Sequence, residues 1–254
     1  MADPQQLTPR ILLTTDFTAA SEIAFYHALS IGLARRARLT VLHTGSESRE
    51  KVPWDRFPSV RRTLQSWGLL DEDAPRSDVV EKLGLSINKM AFRDDDPRNG
   101  ITDYLRRSPT DLLIMASEGR TGFSRIWNTS VAETVSYRTR TPTLMLPKKG
   151  QYFVDIETGQ SALNRVLCVF DARYDSRSAL KFLGQWLPDM SNDAIDTHVM
   201  QHGASPDTPD LLVPQVKRLN WYKAEAEGDF IPSVLSTARQ LQPHLVVMQA
   251  DSPT

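Results

Sequence analysis

Short apolar runs alternate with amphipathic stretches along this chain of 254 residues, and the alternation begins a second time past its middle. Apolar runs at 10–15, 39–43, 85–92, 112–115 and 143–146 read as strands. The first is followed by a helix over about 19–36, with Ala20, Ala24, Ala28 and Ile31 on one face. Thr18 suits its N-cap and Glu22 its first turn. Between Gly45 and Gly84 the pattern predicts helical stretches around 59–67 and 78–82, separated by an acidic, proline-containing turn. Asp96-Pro97 supplies an N-cap and a proline at the first helical position, opening a helix through Arg107. This order predicts an α/β fold, with a parallel sheet covered by helices on both faces.

The second start repeats the first. Leu12-Leu-Thr-Thr-Asp16-Phe-Thr-Ala-Ala-Ser21-Glu-Ile-Ala24 aligns with Leu167-Cys-Val-Phe-Asp171-Ala-Arg-Tyr-Asp-Ser176-Arg-Ser-Ala179. Asp, Ser and Ala recur at the same offsets. Leu85-Ser-Ile-Asn-Lys89 matches Leu219-Asn-Trp-Tyr-Lys223, and Leu112–Met115 matches Leu245–Met248. The chain reads as two tandem units: 1–148, a linker over 149–163, and 164–254. The second unit is expected to be shortened, without a counterpart of the Gly119 loop, the last helix and the fifth strand.

Net charge is −1, so no global basic field points to nucleic acid. The first unit is mildly positive and the remainder mildly negative. The single cysteine, Cys168, lies in the apolar run Val166–Phe170 and reads as a buried thiol. No basic-flanked apolar leader and no membrane-length apolar stretch is present in the sequence. The expected location is the cytoplasm, with neither nucleic acid nor membrane as partner.

The segment Asp111–Pro147 carries the most chemistry. An apolar strand ends in Ala116-Ser117-Glu118-Gly119, a polar loop follows, and Ser130-Val-Ala-Glu133 forms a capping-box pattern. A strand feeding a loop and a helix N-terminus presents backbone N–H groups and a positive helix end to anions. In open parallel sheets ligands gather at the carboxyl ends of the strands. That brings Asp16, Thr44 and the loop after Met115 to one edge.

These residues resemble the universal stress protein family, and the whole chain resembles its tandem-domain members. The resemblance is carried by Ile11-Leu-Leu-Thr-Thr-Asp16-Phe-Thr, by Leu39-Thr-Val-Leu-His43 and by Leu112–Pro147. It implies Rossmann-like units with a five-stranded parallel sheet, pairing of domains through the fifth strand, and a regulatory role in stress responses. Some members bind ATP through Gly-x2-Gly-x9-Gly-[Ser/Thr]. The matching frame here is Ala116-Ser-Glu-Gly119, nine residues, then Thr129-Ser130, which keeps the middle glycine and the final serine. The implied site for ATP or AMP, with magnesium accompanying ATP, comprises Thr15, Asp16, Phe17, Thr44, Met115, Ala116, Gly119, Arg120, Thr129 and Ser130.

Each residue also has a plainer role open to it. Asp16 serves an adenosine or caps a turn, and Asp171 reads as structural. Ser130 donates to phosphate, caps its helix, or does both. Arg120 and Arg125 meet phosphate or solvent. His43 reads as a satisfied strand-end histidine. Asp94-Asp-Asp96 reads as a helix N-terminus, because Arg106 stands where a calcium loop needs a bidentate glutamate. No nucleophile–base constellation and no metal-ligand spacing is nominated. The sequence therefore reads as a non-enzyme, with slow ATP hydrolysis left open. The alternative is a nucleotide-free interaction module that works by self-association or with unidentified protein partners.

Overall fold

The computed structural model describes residues 8–46, 52–117, 131–204, 208, 211–224 and 228–249, which divide into two compact units. The first holds the described residues up to 150 together with 155–160. Its elements are β1 (Arg10–Thr15), α1 (Ala19–Arg35), β2 (Arg38–Gly45), a 3-10 turn (Trp54–Arg56), α2 (Val60–Ser66) and α3 (Asp78–Glu81). There follow β3 (Ser86–Arg93), α4 (Pro97–Arg107), β4 (Leu112–Ser117), α5 (Val131–Thr139) and β5 (Thr143–Pro147). The strands are all parallel and lie in the order β3-β2-β1-β4-β5. The order reverses between β1 and β4, so the connections leaving those two strands diverge there.

Alternation along β1 and β2 sends successive side chains to opposite faces. Leu12 and Leu42, with Leu113 and Met115 of β4, pack against Ile101 and Leu105 of α4 and Ala132 and Val135 of α5. Ile11, Leu13 and Ile114 are as deeply buried on the other face, where α1 lies against β1 and β4. Burial on both faces is why these strands are continuously apolar.

The helix ends follow local chemistry. Thr18 caps α1, its side chain accepting from the Ser21 N–H, with Glu22 in the first turn and Arg35 in the last. Ala24, Ala28 and Ile31 face the core as expected, while Ala20 is half-buried. The helix stops at Arg36, which turns left-handed at φ 50°. Asp96 caps α4 by accepting from the Arg98 N–H, with Pro97 in the first turn. The acidic run is thus a helix start, as its sequence indicated.

The second unit holds residues 151–154 and the described residues from 161 on. It contains β6 (Arg165–Asp171), α6 (Arg177–Trp186), β7 (Ile195–His202), β8 (Leu219–Ala224), α7 (Phe230–Leu241) and β9 (Leu245–Met248). Its four parallel strands lie in the order β8-β7-β6-β9. This reproduces β3-β2-β1-β4, strand for strand, in the pairs that the repeated sequence segments indicate. Leu167, Val169, Met200 and Val234 form a core cluster in this unit. Cys168 is fully buried, and desolvation pushes its thiol up to about 12.

The residues between the two sequence repeats are folded. Val154 and Ser161 form an isolated antiparallel bridge, and Phe153, Val154 and Leu163 are buried. Asp155 accepts from the backbone N–H groups of Thr158 and Glu157, and these bonds hold its carboxyl below the usual range. Within the first unit, Ser30 donates to the Gly159 carbonyl and the Trp67 indole donates to the Ile156 carbonyl.

Candidate functional site

The carboxyl ends of β1, β2 and β4 bring several of the expected residues to one edge of the first sheet. Thr15, the last residue of β1, pairs in register with His43 of β2. The Thr15 hydroxyl contacts the Ser21 hydroxyl at 3.0 Å and accepts from the Phe17 N–H at 3.1 Å. Asp16 is exposed just beyond the strand. Its Oδ1 accepts from the Thr18 N–H at 3.0 Å and the Thr18 hydroxyl at 2.6 Å. Oδ2 makes no hydrogen bond within 3.5 Å among the described residues. Partial burial works to raise this carboxyl, but the Thr18 hydrogen bonds, helped by the nearby Ser21 hydroxyl, outweigh it and hold the group below the usual carboxylate range. Asp16 is therefore ionised at neutral pH, with one oxygen anchored and the other available.

The corresponding carboxylate of the second unit is differently engaged. Asp171 ends β6 and accepts from the Arg173 N–H at 2.9 Å. The Arg173 guanidinium also forks onto both of its oxygens, Nη2 reaching Oδ2 at 2.6 Å. Arg173 holds Asp171 below its ordinary value. The structural role expected for Asp171 matches this geometry, which leaves neither oxygen unpaired.

Around the end of β2 the structure gathers Trp54, Arg56, Phe57 and Lys89, which the sequence did not nominate, about Phe17, which it did. Phe17 adopts φ 64°, a left-handed conformation uncommon for an aromatic residue. Its ring lies 4.2 Å from that of His43 and 5.2 Å, edge-on, from that of Phe57. The Arg56 guanidinium sits 4.6 Å over the Phe17 ring, and Trp54 lies 5.7 Å from Phe57. Burial lowers Lys89, whose ammonium lies 6.0 Å from the Phe57 ring. The cluster joins residues about forty positions apart, with only the Trp54–Phe57 spacing as a local signal. His43 contacts the Thr15 carbonyl through Nδ1 at 2.8 Å, the satisfied strand-end role expected for it.

Thr44 is half-buried beside α4, and its hydroxyl is a buried polar atom without a hydrogen-bond partner among the described residues. Its methyl group packs against Gly100 of α4, leaving no space there for a Cβ. On β4, Met115 is buried while Ala116 and Ser117 are half-buried. Gly119, Arg120, Thr129 and Ser130, with Arg125, lie outside the described residues. The described part of the segment resumes with α5, which carries Glu133 in its first turn. Among the described residues no group of three or more His, Cys, Asp or Glu is placed to hold a metal ion. No helix among them is long and apolar enough to cross a membrane.

A doubly wound parallel sheet with polar, capped turns at its carboxyl edge, repeated in a smaller second sheet, defines a tandem α/β protein of Rossmann-like type. The sequence model of the universal stress protein family matches residues 8–147, and the chain belongs to that family. It is similar to a universal stress protein of Methanocaldococcus jannaschii, with 26% identity over 149 residues that span 57% of this chain and 85% of that protein. In fold it is similar to a universal stress protein from Archaeoglobus fulgidus, at 16% identity and a TM-score of 0.59. That match covers 95% of this chain and 85% of the other. A functionally unknown protein from Pseudomonas aeruginosa matches 98% of this chain over 84% of its own, at 13% identity and a TM-score of 0.57. Both structural matches span the two units.

Proposed function

We propose that the first unit binds an adenine nucleotide at the carboxyl edge of its sheet, and that the protein acts as a regulatory stress-response protein. Asp16 would take a ribose hydroxyl on Oδ2, and the backbone at Thr44 would meet the base. The segment running from Met115 and Ala116 through Gly119 and Arg120 to Thr129 and Ser130 would receive the phosphates, with magnesium accompanying ATP. Binding changes how the protein pairs with itself or with protein partners.

The observation that carries this reading is the contrast between the two aspartates. Asp16 is ionised and keeps one oxygen unpaired at a topological switch point, while Arg173 occupies both oxygens of Asp171. The partnerless hydroxyl of Thr44 at the same edge adds a second polar atom suited to a ligand or its water. The nucleotide is therefore assigned to the first unit alone.

Isothermal titration of ATP with magnesium tests the proposal. Saturable binding near one site per chain is expected, weakened about tenfold or more by Asp16→Ala and abolished by Gly119→Val. A second reading, a nucleotide-free interaction module, draws on the Phe17–His43–Phe57 cluster, which already packs aromatic surface beside β2. Absence of saturable heat with ATP, ADP and AMP would favour it and refute nucleotide binding.

A further inference from the structure

At the other edge of the first sheet, Arg10 of β1 and Arg38 of β2 stand side by side in the parallel register. Adjacent strands are about 4.8 Å apart, and like charges directly opposite each other are destabilising. Both residues share the sheet face of Leu12 and Thr40, by the alternation of side chains. Arg107, in the last turn of α4, joins them along a cleft of about 390 Å³. None of these three guanidinium groups makes a hydrogen bond or ion pair among the described residues. The neighbouring Arg106, by contrast, pairs with Asp103 at 3.7 Å.

Tyr104 donates to the Thr40 hydroxyl at 3.4 Å and Thr110 donates to the Ser108 carbonyl at 3.1 Å, which leaves the hydroxyl protons of Thr40 and Ser108 to meet an oxyanion in the cleft. The Asp111 carboxylate accepts from the backbone N–H of Arg10 at 2.7 Å. Among the described residues that line the cleft, three are arginines and none is acidic. Guanidinium groups stay protonated at every working pH and match oxyanions with paired donors. Backbone pairing keeps the stems of Arg10 and Arg38 side by side, so an anion placed between their exposed guanidinium groups meets both and offsets their mutual repulsion.

We propose that this cleft is a second anion site, distinct from the nucleotide edge, which takes a small molecule carrying two or more phosphoryl groups. Arg10 and Arg38 grip one phosphoryl group from the sheet, and Arg107 reaches another from α4. The hydroxyls of Thr40 and Ser108 orient the remainder. The two sites lie at opposite ends of the six-residue β1, from Arg10 to Thr15, about 17 Å of strand apart. Occupancy of this cleft therefore does not depend on the nucleotide reading.

The test is calorimetric titration of inorganic pyrophosphate into the full chain, with citrate as the carboxylate comparison. Saturable pyrophosphate binding is expected, weakened about tenfold or more in Arg38→Gln and in Arg107→Gln. Loss of binding in these two variants separates this site from the nucleotide edge, because pyrophosphate held at the Met115–Ser130 segment would be untouched by either substitution. Both arginines are exposed, so the variants fold. Without ligand, Arg38→Gln melts at or above the wild-type temperature because the like-charge pair is gone, and it loses the upward shift that pyrophosphate gives the wild type. Absence of saturable heat, undiminished binding in both variants, or citrate binding as tightly as pyrophosphate would overturn the proposal.

Discussion

Gly100 and Thr44 give the sharpest test of how α4 is held against the carboxyl end of β2. Gly100 is buried in the first turns of α4, and a Cβ there would overlap the Thr44 methyl and stand 3.1 Å from Asp94 Cβ. Carbon atoms settle at about 3.5–4.0 Å, so Gly100→Ala forces a shift of helix or strand. Thr44 is β-branched and cannot swing its methyl away freely. Overpacking of this kind costs about 1–3 kcal/mol, against about 1 kcal/mol gained from helix propensity. The expected net effect is a loss of about 0–2 kcal/mol. Thr44→Ala removes both the obstructing methyl and a buried hydroxyl without a partner, so alone it changes stability by less than about 1 kcal/mol. In the double variant the methyl added to α4 fills the space that the threonine side chain has vacated, giving a favourable coupling of about 1–2 kcal/mol. Urea unfolding of the four proteins measures the cycle. A Gly100→Ala protein more stable than wild type, or additive single effects, would refute the packing argument.

Three further outcomes follow from the same geometry. His27 is fully buried, with Nδ1 at 2.9 Å from the Ile23 carbonyl, and burial lowers it to about 4 from 6.5. Between those values the unfolded chain binds the proton and the native state does not. Stability therefore falls as pH drops from about 6.5 to about 4, by up to ~3 kcal/mol. His27→Gln should remove this component, and an unchanged pH slope in urea titrations would contradict it. Gly159 stands at φ 70°, and a Cβ there would lie 2.5 Å from Trp67 Cδ2. Gly159→Ala should cost about 2 kcal/mol or more and redshift tryptophan emission, while an unaltered spectrum and midpoint would contradict the contact. Asp16→Ala should destabilise the start of α1 by about 1 kcal/mol in urea unfolding, since Thr18 loses its anchor; no change in midpoint would show the turn is held otherwise.

The strands were legible because burial on both faces makes them unbroken apolar runs, as in Leu112–Met115 and Val166–Phe170. The caps were legible because Thr18 and Asp96 act within three residues of themselves. The repeat of Asp16 in Asp171 was legible as a pattern, but its consequence was not. Whether a carboxylate is available depends on a single following residue, Thr18 in one unit and Arg173 in the other. Long-range contacts left no periodic signal: Ser30 meets Gly159 and Trp67 meets Ile156 across distant sequence. The left-handed Phe17 was likewise hidden, since its conformation is held by packing on His43 and Phe57 rather than by its own preference. The paired Arg10 and Arg38 emerge only once strand register is known.

The most direct test of the central claim is amide hydrogen exchange of the full chain with and without ATP and magnesium. The account predicts slowed exchange at residues 15–18, 44–46 and 115–130 of the first unit, with the corresponding ends of β6 and β7 unaffected. Exchange unchanged at those segments under saturating nucleotide, or protection confined to the second unit, would contradict it.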